Sequence, residues 1–450
     1  MIRAIVLAAG KGTRMKSAIP KVLHEICGRP MLSYMLQSLR NVSVTEIVVV
    51  TNPELQDRIG EFGVRGVVQT EQLGTGHAVR VALDALPPER SGRVLIAYAD
   101  MPLVPPSLFQ EAIDALEADK SVALALVTAR VALPSPFGRV IRRNGSIERI
   151  VEARDASNEQ LEIDEVNAGI YVFDETALRE AVGKLRNSNA QSEYYLTDTI
   201  EGLARAKKRV VPIPSPDAVA VMGINDRAEL AQVRAEINRR LCDSYMREGV
   251  TIIDPLTTYL EPELKIGRDT VIYANSSIGR LSELGERCVI GPNARLSNAR
   301  LGDDVTVRES VVLDSSLGDR TSVGPYAHIR NGAKLSEDVR IGNFVEVKNS
   351  KLARGVKANH LAYIGDAEIG EDTNIGAGTI TCNFDGVRKN KTVIGRNVMI
   401  GSNSSLIAPI NIGDGALTGA GSVVTKDVAA GDRVAGNPAK PLTNKARPES

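Results

Sequence analysis

An aliphatic or β-branched side chain recurs at every sixth position through much of the C-terminal half of this 450-residue chain. An α-helix repeats about every 3.6 residues and a strand about every second residue, so neither produces a step of six. A coil of short flat faces does, because each segment can form one face with one inward side chain. The pattern therefore predicts a parallel β-helix from about residue 266 to residue 425. Its clearest runs are Leu317, Val323, Ile329, Leu335, Ile341 and Val347, and then Ile394, Ile400, Leu406, Ile412, Thr418 and Val424.

A basic segment at residues 381–391 interrupts this register and carries Arg388, Lys389 and Lys391. Insertions in a stacked coil become loops on one face, and that face often binds ligands. The segment is therefore a candidate part of a binding site. The alternative is a surface loop that the coil merely tolerates.

The first half of the chain alternates apolar runs of strand length with stretches of helical length. This alternation predicts an α/β domain with a mainly parallel sheet, which binds ligands at the carboxyl ends of its strands. The predicted strands are residues 2–8, 46–51, 64–69, 94–99 and 122–127. The predicted helices are residues 31–39, 77–86 and 106–116.

A glycine-rich turn, LAAGKGTRM over residues 7–15, follows the first predicted strand. Glycines let a ligand approach the backbone and leave N–H groups free for phosphate oxygens, and Lys11, Arg14 and Lys21 add positive charge to the same loop. The segment lacks the GxxxxGK[ST] pattern of a P-loop, and Met15 stands where a dinucleotide fingerprint requires its third glycine. We therefore predict a phosphate-binding loop of another kind, with a purely structural turn as the alternative.

Residues 226–248 have the pattern of an amphipathic helix, because Leu230, Val233, Ile237, Leu241 and Tyr245 recur at spacings of three or four. We expect this apolar stripe to pack on neighbouring domains rather than on a coiled-coil partner. The predicted division of the chain is a first domain at 1–225, a linker helix at 226–248 and a β-helix domain at 249–450.

Composition excludes several classes of partner. Lys and Arg total 55 and Asp and Glu total 55, so no net charge draws the chain to nucleic acid. No apolar run reaches the ~18 residues that a membrane span requires. We therefore expect a cytoplasmic protein that binds small molecules, without nucleic-acid or membrane partners.

Several motifs of the first half resemble those of the sugar-1-phosphate nucleotidyltransferases. They are the LAAGKGTRM turn followed by Pro20-Lys21, Gln69 with the Gly-Thr-Gly of 74–76, Tyr98-Ala99-Asp100, and the NAGIYVF run that begins at Asn167. The six-residue coil resembles the left-handed hexapeptide β-helix of bacterial acyltransferases. Together they resemble a bifunctional family over almost the whole chain. The implied fold is α/β: a Rossmann-like nucleotidyltransferase domain, a connecting helix and a left-handed parallel β-helix of hexapeptide repeats.

The resemblance implies two reactions. The β-helix domain would acetylate glucosamine 1-phosphate with acetyl-CoA. The first domain would transfer UMP from UTP to N-acetylglucosamine 1-phosphate, giving pyrophosphate and UDP-N-acetylglucosamine, a precursor of peptidoglycan and lipopolysaccharide. A homotrimer with the acetyl site between subunits is also implied. Two alternatives stay open: a sugar-nucleotide pyrophosphorylase whose β-helix is only structural, and a non-catalytic scaffold.

For uridylyl transfer the resemblance implies that Asp100 and Asn225 hold Mg²⁺, an ion that takes few protein oxygens when phosphates complete its shell. Taken alone, Asp100 could cap the helix at Pro106 or a turn. Glu152 could be a solvated carboxylate, and Asn225 could cap the helix after it. The phosphate contacts would be Lys11, Arg14 and Lys21, the base contacts Gln69, Gly74 and Thr75, and the sugar contacts Gly138, Glu152 and Asn167. Leu7, Ala8, Ala9, Gly10 and Tyr98 complete the implied site.

For acetyl transfer the resemblance implies that His360 is the general base, since an imidazole can take an amine proton near neutral pH. The alternative is a buried, hydrogen-bonded core histidine. Arg330 and Lys348 would bind the sugar phosphate, Tyr363, Asn374 and Asn383 would orient sugar and thioester, and Ala377, Ser402 and Ala420 would line the acetyl-CoA channel. The chain departs from the family pattern at Phe384, where Tyr is usual, and near Gly436, where an Arg is replaced and Arg433 or Lys440 are the candidate substitutes.

Overall fold

The computed structural model describes residues 1–89 and 92–442, and the chain divides into two compact units, Met1–Ala235 and Glu236–Ser450. The division falls within a single long helix, Arg227–Arg247, where the sequence predicts the linker helix. Residues 443–450 of the predicted β-helix domain lie outside the described part of the chain. The boundaries at 225 and 248 stay predictions.

The first unit contains a nine-stranded sheet, a two-stranded sheet and the helices that cover them. The strands are β1 Ile2–Leu7, β2 Glu25–Ile26, β3 Arg29–Pro30, β4 Glu46–Thr51, β5 Arg65–Val68, β6 Arg93–Tyr98, β7 Val122–Arg130, β8 Arg139–Arg143, β9 Ser146–Val151, β10 Glu165–Asp174 and β11 Arg209–Pro214. The helices are α1 Met31–Arg40, α2 Pro53–Gln56, α3 Thr75–Asp84, α4 Pro106–Glu117, α5 Asn158–Leu161, α6 Glu175–Gly183 and α7 Asp198–Arg205. The long helix Arg227–Arg247, named α8, begins in the first unit and ends in the second.

The large sheet runs in the order β5-β4-β1-β6-β10-β7-β11, with the β8–β9 hairpin attached to β10. The pairs β1–β4, β1–β6, β4–β5 and β7–β11 are parallel, whereas β10 is antiparallel to both of its neighbours. Side chains of β1 alternate between two buried apolar clusters, one on each face of the sheet. Burial of both faces explains why these strands are nearly continuous apolar runs.

The carboxyl ends of β1 and β6 lie side by side, because Leu7 pairs with Tyr98. The chain stays in register one residue further, where the N–H of Ala99 donates to the carbonyl of Leu7 at 3.0 Å. The glycine-rich turn and Asp100 therefore leave the sheet at the same edge.

The second unit is a parallel β-helix with three faces, formed by two sheets of twelve and seventeen strands. The twelve strands are Thr251–Ile252, Val271–Ile272, Val289–Ile290, Thr306–Val307, Ser322–Val323, Arg340–Asn343, Lys357–His360, Asn374–Ile375, Met399–Ile400, Leu417–Thr418, Arg433–Ala435 and Lys440–Pro441. The seventeen are Tyr259–Leu260, Lys265–Ile266, Ser277–Ile278, Glu283–Leu284, Arg295–Leu301, Val311–Leu317, His328–Arg330, Lys334–Leu335, Glu346–Lys348, Lys351–Leu352, Tyr363–Gly365, Ala367–Ile369, Ile380–Cys382, Thr392–Ile394, Ser405–Ile407, Ile410–Ile412 and Val423–Val424.

The β-helix is longer than the predicted 266–425. Stacking already begins at Thr251, which pairs with Val271, and continues to Arg433, which pairs with Leu417. Both ends escape a search in steps of six because the buried side chains there are spaced irregularly. Ile252 precedes the next buried apolar side chain, Leu260, by eight positions, and Val434 follows Val428 by six but Val424 by ten. The predicted interruption is confirmed, since Asn374 stacks on Met399, a step of 25 residues where neighbouring coils use 17 or 18.

Candidate active sites

The turn after β1 depends on Gly12. Its backbone has φ 59° and ψ 30°, a left-handed conformation that favours glycine. A Cβ at this position would lie 2.7 Å from the Cβ of Lys21. Only glycine therefore lets the turn lie directly against Lys21.

Lys21 belongs to a polar cluster drawn from three parts of the first unit. Its Nζ forms an ion pair with Oδ2 of Asp100, and both side chains are largely buried. The same Nζ lies 3.4 Å from Oδ1 of Asn225, which accepts a hydrogen bond of 2.7 Å from Nη2 of Arg14. The N–H of Ile224 donates to the carbonyl of Asp100 at 2.9 Å, which brings Asn225 to this position.

Neither Asp100 nor Asn225 caps a helix, so the helix-capping alternatives were wrong. Helix α4 follows Pro105 without a side-chain cap. Helix α8 is capped by Asp226, whose Oδ1 accepts hydrogen bonds of 2.9 Å from the N–H groups two and three residues later. The side chains of Asp100 and Asn225 instead point at the same ammonium group.

A cavity of about 250 Å³ opens beside this cluster. The predicted residues that line it are Leu7, Ala8, Ala9, Gly10, Lys21, Gln69, Gly74, Thr75, Tyr98 and Asp100. Sequence reasoning missed four more lining residues, Val22, Gln72, Ala78 and Glu193. Gln72 could have been found from the sequence, because it lies between the motif residues Gln69 and Gly74. Its Nε2 donates to the carbonyl of Ala9 at 2.7 Å.

The Gly-Thr-Gly turn packs against residues 193–197, a segment in which the sequence showed no motif. A Cβ on Gly74 would lie 2.7 Å from the carbonyl oxygen of Tyr194, and the N–H of Gly76 donates to that oxygen at 2.7 Å. Oγ1 of Thr75 accepts a bond of 3.0 Å from the N–H of Leu196. This second segment therefore fixes the wall of the cavity that carries Gly74 and Thr75.

A chain of buried hydroxyl and amide groups leads from Thr75 to Asn167. Tyr98 bonds to Thr75 and to Tyr171, and burial raises the pKa of Tyr98 well above its usual value, so the phenol stays neutral. Nδ2 of Asn167 donates to the hydroxyl of Tyr171 at 2.7 Å. The N–H of Asn167 donates to the carbonyl of Gly138 at 2.8 Å. The predicted sugar residues thus connect to the cavity through Tyr98.

Glu152 is not a solvated carboxylate. Its Oε1 accepts a hydrogen bond of 2.9 Å from Thr197, and burial raises its pKa, with a further increase from the carboxylates of Asp198 and Asp155. A Cβ on Gly138 would lie 3.3 Å from Oε2 of Glu152, so the two predicted sugar residues are close neighbours.

Two predicted phosphate contacts are peripheral in this conformation. Lys11 is exposed on the turn, and Arg14 is exposed and bonded to Asn225. Among the described residues of the first unit, no group of three or more His, Cys, Asp or Glu side chains converges on a point.

In the second unit His360 is exposed at the end of the strand Lys357–His360, so the buried-core alternative was wrong. Its Nδ1 lies 2.7 Å from Oδ1 of Asn343, the residue that pairs with it on the preceding coil. An amide oxygen accepts only, so Nδ1 is the donor in this contact, and in a neutral imidazole Nε2 would then be the acceptor. Asn343 was missed, although its position one coil earlier is readable as a spacing of 17.

The residues predicted to line the acetyl-CoA channel form a column that starts at His360. Lys357 and Ala358 pair with Asn374 and Ile375, a step of 17 that places His360 level with Ala377. The steps of 25 and 18 that follow place Ser402 and then Ala420 at the same position of the next coils. Small side chains therefore occupy the position of His360 on the three coils that follow.

Three cations lie near one another, two of them on strands of the seventeen-stranded sheet. Arg330 pairs with Lys348 in register and forms an ion pair of 2.6 Å with Glu346. The ammonium of Lys389, from the basic insertion, lowers the pKa of Lys348, with a smaller contribution from Arg330. The insertion thus carries a basic side chain to the two predicted sugar-phosphate residues.

Of the remaining predicted acetyl-site residues, Tyr363 and Asn383 are in contact, whereas the others lie apart from them. Its hydroxyl accepts a bond of 3.4 Å from Nδ2 of Asn383, which also donates to Asp366. Asn374 lies one coil above Lys357 on a different face, and Phe384 is largely exposed in the inserted loop. The structure therefore brings Tyr363 and Asn383 together, whereas Phe384 points to the surface.

Comparison with known proteins gives the family. Residues 4–164 match the MobA-like NTP transferase domain, and residues 391–426 match the bacterial transferase hexapeptide model of six repeats. The protein named Bifunctional protein GlmU from Shouchella clausii is 44% identical over 94% of this chain and 94% of its own length. The same protein from Acinetobacter baylyi is 44% identical over 94% of this chain and 93% of its own length. The chain belongs to the GlmU family.

Membership of the GlmU family confirms the prediction of a bifunctional transferase. The first unit contains the nucleotidyltransferase fold and the second the hexapeptide β-helix of the acetyltransferase. The chain therefore combines N-acetylglucosamine-1-phosphate uridylyltransferase and glucosamine-1-phosphate acetyltransferase activities, and its β-helix is not only structural. A nucleotide and small sugar phosphates are its substrates. Among the described residues, no helix is both long and apolar enough to span a bilayer.

Proposed function

We propose that the cavity beside Lys21 is the uridylyl-transfer site and that the exposed face at His360 is the acetyl-transfer site. The observation that carries the first assignment is the convergence of Asp100, Asn225 and Lys21 at the carboxyl edge of the sheet. The second rests on the orientation of His360, whose Nδ1 is held by Asn343 and whose Nε2 is free to accept a proton.

Mg²⁺ fits the first site. Asp100 and Asn225 both direct an oxygen at the ammonium of Lys21, so their oxygens already surround a position that suits a cation. Mg²⁺ prefers oxygen ligands and is commonly held by one or two protein groups, with phosphates and water completing its shell. When bound, the ion would neutralise phosphate charge. Asp100 and Asn225 are the residues that would hold it.

The side chains then act by position and charge. Uridylyl transfer requires an oxygen of the sugar 1-phosphate to attack the α-phosphorus of UTP, as the bond to pyrophosphate breaks. Lys21 lies in the cavity wall with the turn 7–10, where an ammonium and backbone N–H groups can contact phosphate oxygens. Gln69, Gly74 and Thr75 form the wall assigned to the base. Lys11 and Arg14, both exposed, lie on the same loop as further phosphate contacts.

Gly138, Glu152 and Asn167 are assigned to the sugar. They adjoin one another and connect to the cavity through the hydroxyls of Tyr98 and Tyr171. A carboxylate and an amide placed together can accept and donate hydrogen bonds to sugar hydroxyl and acetamido groups.

Acetyl transfer requires a neutral amine. The amine nitrogen of glucosamine 1-phosphate attacks the thioester carbonyl, the carbon–sulfur bond breaks, and the nitrogen loses a proton. Nε2 of His360 is the acceptor for that proton. Arg330 and Lys348 bind the phosphate, with Lys389 of the insertion as a third cation, and Tyr363, Asn374 and Asn383 orient the reactants. Ala377, Ser402 and Ala420 leave room for the coenzyme along the column above the base.

A homotrimer is part of the proposal. Tyr326 and Phe344 stack on the outside of the β-helix with ring centroids 5.5 Å apart, and Leu361 is 61% exposed beside His360. Bulky apolar side chains at exposed, left-handed turn positions are costly for a monomer and are explained by contact with another subunit. We also propose that the enzyme is cytoplasmic, where UTP and acetyl-CoA are available.

A crossed pair of substitutions tests the two assignments. Asp100→Asn removes the charge of the predicted metal ligand, so Mg²⁺-dependent pyrophosphate release should be lost while thiol release from acetyl-CoA continues. His360→Ala should have the opposite effect. Each variant is the matched control of the other, because the unaffected reaction reports a folded chain. Loss of both activities in either variant would contradict two separate sites.

A further inference from the structure

The side-chain amide of Gln69 has a defined orientation. Gln69 lines the cavity and is only 3% exposed. Its Nε2 lies 3.1 Å from the carbonyl oxygen of Gly74 and 3.0 Å from Nδ1 of His77. A backbone carbonyl only accepts hydrogen bonds, so the amide nitrogen must occupy this position rather than the amide oxygen.

The same geometry identifies which role Nδ1 of His77 takes in the contact with Gln69. One N–H of Gln69 is directed to Gly74, and the other is directed to Nδ1 of His77. A proton on Nδ1 would place two donors against each other, so Nδ1 is the acceptor and the ring proton is on Nε2. His77 lies in the first turn of α3, with its ring beside that of Tyr194 at 6.5 Å between centroids.

One side-chain atom of Gln69 is left for a ligand. Both hydrogens of Nε2 are used, and Oε1 has no hydrogen-bond partner among the described residues. Because Gln69 lines the cavity, it offers that cavity a hydrogen-bond acceptor and no donor. The imidazole of His77 is absent from the cavity wall, so His77 acts only through the amide of Gln69.

We propose that His77 is a positioning residue that makes this site select uracil over cytosine. Uracil carries a hydrogen on N3, which an amide oxygen can accept, whereas N3 of cytosine is itself an acceptor and would oppose Oε1. If the amide were rotated by half a turn, Nε2 would face the base and the preference would reverse. His77 and Gly74 together oppose that rotation. The inference rests on the proposed role of Gln69 in reading the base.

The test compares UTP with CTP in the full-length enzyme, with Mg²⁺ and N-acetylglucosamine 1-phosphate, by the rate of pyrophosphate release. His77→Leu removes the acceptor, so the ratio of kcat/KM for UTP to that for CTP should fall about three- to ten-fold, the effect of one neutral hydrogen bond. Gly74 still holds the amide, so the ratio should not fall to one. His77→Asn should restore the ratio, because its amide oxygen lies near the position of Nδ1.

A role of His77 in packing alone would lower kcat/KM for both nucleotides equally and leave the ratio unchanged, which would overturn the inference. If His77→Leu does not fold, His77→Gln serves instead, since it places no acceptor at the Nδ1 position. Gln69→Ala separates the two proposals. If it changes the ratio while both His77 variants do not, Gln69 reads the base without help from His77. If it too leaves the ratio unchanged, the base-reading role of Gln69 is itself wrong.

Discussion

Gly12→Ala should damage uridylyl transfer far more than it damages the fold. Position 12 is left-handed, with φ 59°, so an alanine there should cost about 1–2 kcal/mol of the free energy of unfolding of the first unit. The added Cβ would also lie 2.7 Å from the Cβ of Lys21, where ordinary contacts begin at 3.4 Å. Lys21 or the turn must therefore move by about 0.3 Å to reach the shortest real contacts, at 3.0 Å, and by 0.7 Å to restore an ordinary contact.

That displacement separates the ammonium of Lys21 from the groups around it. Lys21 contacts both Asp100 and Asn225, so a shift of its stem changes the whole charged cluster. A misplacement of about 1 Å at a reacting centre can lower the rate by about a hundred-fold. We therefore expect kcat/KM for pyrophosphate release to fall by about that factor, while thiol release by the second unit is unchanged.

The assay measures both reactions on one preparation, together with thermal unfolding. Gly202→Ala is the matched control, because Gly202 lies in α7 and an added Cβ there meets no atom within 4 Å. It should keep full activity and raise stability slightly. If Gly12→Ala retains wild-type kcat/KM for UTP, the close approach of the turn to Lys21 is not what positions the phosphates.

Three further predictions concern charge and assembly. Burial raises the pKa of Glu152 above its usual 4.5, so the protonated carboxyl stabilises the fold below pH 4.5 and this stabilisation is lost as pH rises through the raised pKa. In urea titrations, the unfolding free energy of Glu152→Gln should therefore increase relative to that of the wild type between pH 4.5 and pH 7. A difference that stays constant with pH would contradict this. Lys389→Met should raise the KM for glucosamine 1-phosphate about ten-fold with little change in kcat. The control Lys391→Met loses an ion pair of 2.7 Å with Glu368 and should not raise this KM, and equal effects of the two variants would refute a phosphate contact by Lys389. Analytical ultracentrifugation at assay concentration should give a trimer, and a monomer alone would be the contrary result.

In the first unit, the elements predicted best are those whose local apolar pattern also determines how they pack. The strand at 46–51 and the starts of α1 and α4 agree with the structure, because each is a strongly apolar segment bounded by turn residues or proline. The strand from residue 122 was predicted to end at 127 but continues to Arg130, since pairing with β10 extends it. The sequence does not indicate that β10 is antiparallel to its neighbours, because a strand buried on both faces is apolar in either direction.

The missing parts of the first site are contacts between distant segments. Leu196 contacts Thr75 across a separation of 121 residues, and no motif marks Thr197 as a partner of Glu152. His77 was likewise assigned only to a predicted helix, because its effect depends on the distance between its Nδ1 and Gln69. Pairings of this kind are properties of tertiary geometry and not of local spacing.

The β-helix allows more to be predicted, because its repeat converts sequence spacing into distance. A step of 17 or 18 residues returns the chain to the same point one coil higher, so Asn343, His360 and Ala377 are vertical neighbours. Residue 436, near which the chain lacks the family's usual arginine, also occupies a defined position in this repeat. Leu417 pairs with Arg433, a step of 16 that places Gly436 directly above Ala420.

Gly436 therefore ends the column that begins at His360, and it contributes no side chain there. The chain then turns back, and Ala435 pairs with Lys440 in an antiparallel register. Lys440 thus lies beside Ala435, next to Gly436 at the end of the column. Arg433 lies three residues before Gly436, level with Leu417 and Met399 rather than with Ser402 and Ala420. Of the two candidate substitutes for the missing arginine, register favours Lys440, which pairs beside the end of the column, over Arg433.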